Sequence, residues 1–272
     1  MKRVVDKTNG FKTIMETFKD FRELSETLDS RDTVWTLEGY PQREDDDPYF
    51  KRCNSYDEAR EYLAHGFDED VNRMVQSVNA LQRTGTMMKT KRYRDVAGFH
   101  PIVPRAIMGL PDSMMNQKKV RVKSKVITVV YDPGANGWVS HESIMEFGCK
   151  FINWCLNVER KGYRVKIEYM KAFCPTDWEN RQYILRVPLK SEHQPLNIKR
   201  MSFALAHAAM QRYIAWDWVE RLPGSKYMRG FGSSLGGNEY REKYLKNIRR
   251  FLNEEDVIVY YGMDLDEELK KF

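Results

Sequence analysis

Val126-Ile127-Thr128-Val129-Val130-Tyr131 is the stretch on which the fold reading turns. Six consecutive β-branched or aromatic residues with no polar alternation read as a strand buried on both faces. Asp132-Pro133-Gly134-Ala135-Asn136-Gly137 follows as a loop. Ser140 then caps a helix from His141 to about Lys161, with Ile144, Phe147, Phe151, Ile152, Cys155 and Val158 on one face and Gly162 as its stop. Tyr163–Tyr169 alternates as a second strand and Tyr183–Val187 is a third, the two forming an edge hairpin. Ile198–Leu222 reads as one long apolar helix, Tyr240–Leu252 as another, Asp256–Gly262 as a last strand and Asp264–Lys271 as a terminal helix. Strands separated by helices predict an α/β domain over 125–272, with a mainly parallel sheet and helices on both faces.

Working outward, residues 11–29 carry Phe11, Ile14, Met15, Phe18, Leu24 and Leu28 at three- and four-residue steps, which predicts an amphipathic helix. Ser55 with Glu58 forms a capping-box pattern ahead of a helix to His65, and Asp68–Arg83 predicts another. The expected organisation is a helical N-terminal region (1–88), a basic, proline-containing connection (89–124) and the α/β domain. Glu44-Asp45-Asp46-Asp47 reads as a solvated loop, because consecutive carboxylates lack the interleaved spacing of a calcium loop.

The chain has 272 residues and a formal net charge of +6, a balance too mild to assign a partner by itself. Its four cysteines (Cys53, Cys149, Cys155 and Cys174) form no CxxC pair, which fits a reducing compartment. With no long apolar run and no leader pattern, the expectation is a cytoplasmic protein that does not enter a membrane.

The basic residues are not evenly spread. Lys89, Lys91, Arg92, Arg94, Lys118, Lys119, Arg121, Lys123 and Lys125 crowd one segment, and Tyr93 sits among them. Cations interleaved with an aromatic suit a groove that tracks a nucleic-acid backbone, and a solvated surface face gives the same pattern. His100, between Phe99 and Pro101, is the histidine singled out here, whereas His207 lies in an apolar helix as a core residue. The glycine loop Gly230–Gly237 lacks the Lys-Ser or Lys-Thr of a phosphate loop and reads as a connection.

A strand ending in Asp132, a small-residue loop, a Ser140-capped helix and then Gly162-Tyr163-Arg164-Val165-Lys166-Ile167 resemble the opening of a von Willebrand factor A domain, a Rossmann-like fold. The resemblance spans roughly residues 125–265 and implies a divalent-metal motif at the end of the first strand. Asp132 matches that motif's aspartate, but Gly134 and Asn136 stand where its two serines belong. A magnesium site on Asp132, Asn136 and Asp264 and a simple turn role for Asp132 are both readings of this loop; the missing serines favour the turn. The chain is also similar to a family of uncharacterised proteins of tailed bacteriophages and mobile elements, through Gly98–Pro104, Gly109–Met114 and Gly162–Val165. That similarity implies an origin, with the host cytoplasm as its setting, and no activity.

Three functions follow in order of expectation. The first is a non-catalytic interaction or scaffold protein whose degenerate von Willebrand A-like domain binds a protein partner. The second is a nucleic-acid-binding protein using 89–125. The third is a divalent-metal-dependent phosphoryl-transfer enzyme built on Asp132 and Asp264.

Overall fold

The computed structural model describes residues 1–8, 10–34, 42–44, 47–79, 88–121, 125–173, 180–225, 235 and 240–272. The chain divides into two compact units, one formed by Met1–Gln82 with Val126–Phe272 and the other by Arg83–Lys125.

The larger unit is built on a six-stranded sheet. Its strands are β1 (Lys2–Thr8), β2 (Phe11–Thr17), β6 (Val126–Asp132), β7 (Arg164–Phe173), β8 (Arg181–Lys190) and β9 (Val257–Tyr260). Their order across the sheet is β1-β2-β8-β7-β6-β9. β6 is parallel to both β7 and β9. β8 runs antiparallel to β7, and β2 lies parallel to β8 with β1 antiparallel at the rim. The sheet is therefore mixed. This corrects the expected von Willebrand A-like, mainly parallel sheet behind a helical N-terminal region. The chain begins with two strands, and the β7–β8 hairpin is interior because β2 covers its outer strand.

Residues 11–17 explain the miss. Their pattern is buried at Phe11, Thr13, Ile14, Met15 and Glu16. A strand covered on both faces has no polar alternation to distinguish it from a helix. Only Phe21–Ser30 (α1), capped by Asp20, is helical.

The other helices of this unit are α2 (Pro48–Lys51), α3 (Tyr56–His65), α4 (Asp68–Asn79), α6 (His141–Arg160), α7 (Ile198–Ala206), α8 (Trp216–Glu220), α9 (Arg241–Arg249) and α10 (Leu265–Leu269); α5 belongs to the smaller unit. Ser140 caps α6 and Ser55 caps α3 through their side chains, as their sequence positions imply. One face of the sheet packs Ile127, Val129 and Tyr131 against α6 and α7, and Ile14, Tyr183 and Leu185 against α1, α3 and α8. The opposite face packs Met15, Val130, Met170 and Ile184 against α9. Among the described residues no helix is long and apolar enough to cross a membrane.

A sheet covered on both faces buries whatever polar groups its strands carry, and these must be paired. Asn247 on α9 donates to Thr13 Oγ1 (2.7 Å) and Gln182 Oε1 (2.8 Å). Glu16, fully buried on the other face, accepts from Arg3 Nε (2.6 Å), Arg31 (2.8 Å) and Trp218 Nε1 (2.8 Å). Burial opposes ionisation of Glu16, but the hydrogen bonds from Arg31, Trp218 and Arg3 outweigh it and hold the carboxyl below its ordinary value of 4.5.

A depressed carboxyl pKa stabilises the fold above the unfolded-state value, and that contribution fades as pH falls through the folded-state value. Glu16→Ala is expected to destabilise the protein by about 3–5 kcal/mol at neutral pH, because two guanidinium groups and an indole lose their acceptor. Urea unfolding at pH 7 and below 4.5 checks this: the gap between wild type and variant should narrow in acid.

Candidate functional site

The end of β6 is where the fold reading places chemistry. Asp132 is fully buried there. Its Oδ1 accepts from the Gly134 amide (2.8 Å) and its Oδ2 from the Ala172 amide (3.1 Å). Lys171, 2% exposed, donates to the Ala172 carbonyl (3.4 Å) and lies 5.1 Å from the Phe173 ring. Gly134 separates the two charges closely enough that a Cβ there would run into both Lys171 Nζ and Asp132 Oδ1. Burial pushes the Asp132 carboxyl up, with Lys171 and the two amides pulling against it.

This environment does not fit a divalent cation. Hard cations need several free oxygens, whereas both Asp132 oxygens already accept backbone amides and a lysine ammonium shares the space. Asp264 is likewise engaged: its Oδ1 accepts from the Asp266 and Glu267 amides (both 3.0 Å) as the N-cap of α10. The Asn136 carbonyl accepts from Arg212 at 3.4 Å. No cluster of three metal-ligating side chains occurs among the described residues.

The loop after β6 is held by a segment that reads in sequence as uninterrupted helix. α7 ends at His207, whose extended backbone (φ −95°, ψ 131°) breaks the helix, and a π-helical stretch spans Met210–Ala215. The wider turn aims two successive polar side chains at the loop. Gln211 accepts from the Ala135 amide and donates to its carbonyl, both at 2.8 Å. Arg212 donates to the carbonyls of Asn136 (3.4 Å), Gly137 (3.3 Å), Val139 (2.9 Å) and Phe50 (2.5 Å). Burial pushes its guanidinium down to about 10, which leaves it charged at neutral pH. Sequence reasoning misses Lys171, Gln211 and Arg212. Their one legible signal is a polar residue inside an apolar run. The Gly230–Gly237 loop, apart from buried Leu235, and Cys174 lie outside the described residues.

A groove of about 570 Å³ runs along the outer side of α6, lined by Phe147, Lys150, Asn153, Trp154, Met263 and Asp264 among others. Trp154, 3% exposed, has its Nε1 buried without a hydrogen-bond partner among the described residues.

The smaller unit holds the predicted basic residues. Its strands are β3 (Met88–Asp95), β4 (His100–Pro101) and β5 (Met114–Arg121), in the order β3-β5-β4, all antiparallel, with α5 (Val103–Ile107) between β4 and β5. The register sets Lys91 directly opposite Lys118 and Tyr93 opposite Asn116. Lys118 Nζ lies 5.5 Å from the Tyr93 ring. Arg92 faces Gln117 and Arg94 faces Met115 on the alternate positions. Lys91, Arg92, Arg94, Lys118 and Lys125 are exposed. The ion pair the unit displays among its described residues joins Arg105 to Asp112. Lys89, Lys119 and Arg121 sit on the same strand pair by backbone register, while Lys123 lies outside the described residues. His100 is exposed on the short edge strand, paired with Met115.

Unit 83–125 contains eleven lysines and arginines against two aspartates, a formal +9. The rest of the chain holds 34 cations and 37 acids, a formal −3. No side chain described between Thr90 and Lys118 is buried. The small sheet is thus strongly cationic and buries no side chain among its described residues.

These features define a mixed α/β protein that carries a separate, strongly basic three-stranded sheet. By sequence, residues 3–268 match the family described as Domain of unknown function (DUF7192), and the chain belongs to that family. Neither a curated protein nor a solved structure matches it.

Gln211→Ala should free the Ala135 amide and carbonyl inside the protein, at a cost of about 1–3 kcal/mol for each unsatisfied group. Hydrogen exchange over residues 133–139 should rise, with β7 unaffected; unchanged protection in that loop would show that Gln211 does not hold it.

Proposed function

We propose that the protein binds nucleic acid through the small basic sheet. The observation that carries this reading is the direct cross-strand juxtaposition of Lys91 and Lys118 beside Tyr93. Like charges opposite one another on a strand pair cost stability, and no carboxylate pairs with either lysine among the described residues. A phosphate backbone is the partner that turns that repulsion into attraction, and the Tyr93 ring offers a base a stacking surface. Among the described residues from Thr90 to Lys118 no side chain is buried within the unit, which supports the same reading.

A second reading, a docking platform for a protein partner on the larger unit, draws on the α6 groove and the unpartnered Trp154 indole. A pull-down with the full chain, with and without nuclease, separates the two. Partners lost on nuclease treatment support the first, and a protein retained after it supports the second.

Four exposed cations on the strand pair (Lys91, Arg92, Arg94 and Lys118) predict a slope of log affinity against log salt of about −3.6 for duplex DNA. Affinity should fall on the order of a hundredfold between 50 and 200 mM salt. Lys91→Ala with Lys118→Ala should flatten the slope by about 1.8. Fluorescence anisotropy over that salt range checks this, and no binding at 50 mM salt would remove the reading.

A further inference from the structure

The far end of the basic ribbon carries a second, different kind of surface. The chain enters and leaves the ribbon at the Met88–Arg121 pair, and its opposite end is the Asp95–Met114 pair. Seven residue steps put these ends about 24 Å apart, or slightly less with twist. Residues 96–113 close that far end. They expose Val96 (69%), Phe99 (57%), Val103 (57%), Ile107 (81%) and Met108 (64%). These are five of the twelve strongly exposed large hydrophobics among the described residues, gathered in thirteen positions.

The tip is held by hydrogen bonds. The Ile102 amide donates to the Ser113 carbonyl (2.8 Å), and Leu110 N donates to the Arg105 carbonyl (3.1 Å). The Arg105 side chain pairs with Asp112 across the turn. Pro101, Pro104 and Pro111 fix three further backbone torsions. Gly109, at φ +68°, makes the reversal that leaves Ile107 and Met108 at the apex of α5. A hydrogen-bonded apex holding two exposed aliphatic side chains, reached along a cationic ribbon, has the form of a wedge.

We infer that this tip is a wedge for duplex DNA: Ile107 and Met108 enter between adjacent base pairs and bend the helix while the ribbon's lysines and arginines hold the phosphates. The inference rests on the nucleic-acid reading above and adds the form of the ligand and what happens to it. Thin apolar side chains that partly unstack a base step kink a duplex, and the bend brings more phosphate within reach of the cations behind the wedge. An anionic lipid surface also combines negative charge with an apolar interior. It fits less well, because a bilayer meets one face of a ribbon. Here the cations occupy both faces, Lys91 and Lys118 on one and Arg92 and Arg94 on the other. A duplex groove has phosphates on both walls.

The test uses the full-length protein and a duplex of about thirty base pairs, long enough to report a bend, with a fluorophore pair at its ends. On binding at low salt, energy transfer between the ends should rise, corresponding to a bend on the order of 20–90°. The Ile107→Ala, Met108→Ala double variant should keep salt-dependent binding and lose the rise in energy transfer; both side chains are exposed, so the fold is not at stake. Lys91→Glu with Lys118→Glu should abolish binding and bending together. Wild-type binding to a straight duplex, or bending that survives the double alanine variant, overturns the wedge and leaves nucleic-acid binding intact. Loss of all duplex binding overturns both. An Ile107→Trp variant whose emission shifts to the blue on anionic phosphatidylserine vesicles but not on duplex assigns the tip to a membrane and overturns the inference.

Discussion

The larger unit depends on β8, because it is the strand that pairs with both the N-terminal ribbon and the central α/β segment. On one side it runs antiparallel to β7 from Lys190 to Tyr183, and on the other parallel to β2 from Arg181 to Arg186. That double pairing turns a four-stranded arrangement into six, and it brings residues 11–17 under helices on both faces. The buried charges follow from it. Glu16 is carried inside on β2 and must meet Arg3, Arg31 and Trp218. Glu168 on β7 meets Arg186 on β8, and Lys190 at the end of β8 donates to Glu159 (2.9 Å) and the Val165 carbonyl (2.5 Å). Each pair is a condition that the covered strand imposes, since an unpaired charge in that position would cost several kcal/mol.

The same constraint explains what can be read from the sequence. Val126–Asp132, the Ser140-capped α6 and the strand at 257–260 are legible because their signals are local: a β-branched run, a side-chain cap, an apolar stripe of period 3.6. β2 is not legible, because Phe11, Ile14, Met15 and Phe18 fit helical spacing and the polar positions between them, Thr13 and Glu16, are buried as well. β1, a polar heptapeptide at the rim, has no apolar face to declare it. The break at His207 is equally hidden. Gln211 and Arg212 stand out in the apolar run 198–222 only as polar residues, with nothing local to say that they reach the loop after β6 from a π-helical stretch.

Asp132 shows how one local pattern carries two readings, a metal ligand and a turn. An aspartate ending a buried parallel strand, before a small-residue loop, is indeed at the carboxyl edge of the sheet where ligands bind in open α/β folds. Here that edge is filled from within. The Gly134 and Ala172 amides occupy both Asp132 oxygens, and Gln211 and Arg212 hold the backbone of Ala135–Val139, so the aspartate braces a turn. The serines absent at 134 and 136 are the sequence trace of this, and Gly134 is required because a side chain would displace the lysine.

The basic segment is the reverse case, in which composition is legible and geometry is not. Clustering of lysines and arginines at 89–125 is plain in the sequence, but a run of charge is equally what a solvated face looks like. Strand register adds the geometry that composition lacks. A solvated face can stagger its charges to relieve repulsion, and an intramolecular role would supply carboxylates. The β3–β5 pairing does the opposite by setting Lys91 against Lys118, and the acids that could neutralise the unit lie elsewhere in the chain, whose remaining net charge is negative. A unit with no buried side chain in its described part gains little from folding for its own sake. Its unrelieved positive charge lowers that gain further. An anionic partner would supply the compensation that the fold withholds, which is the physical ground for proposing the basic sheet, and not the end of β6, as the binding surface.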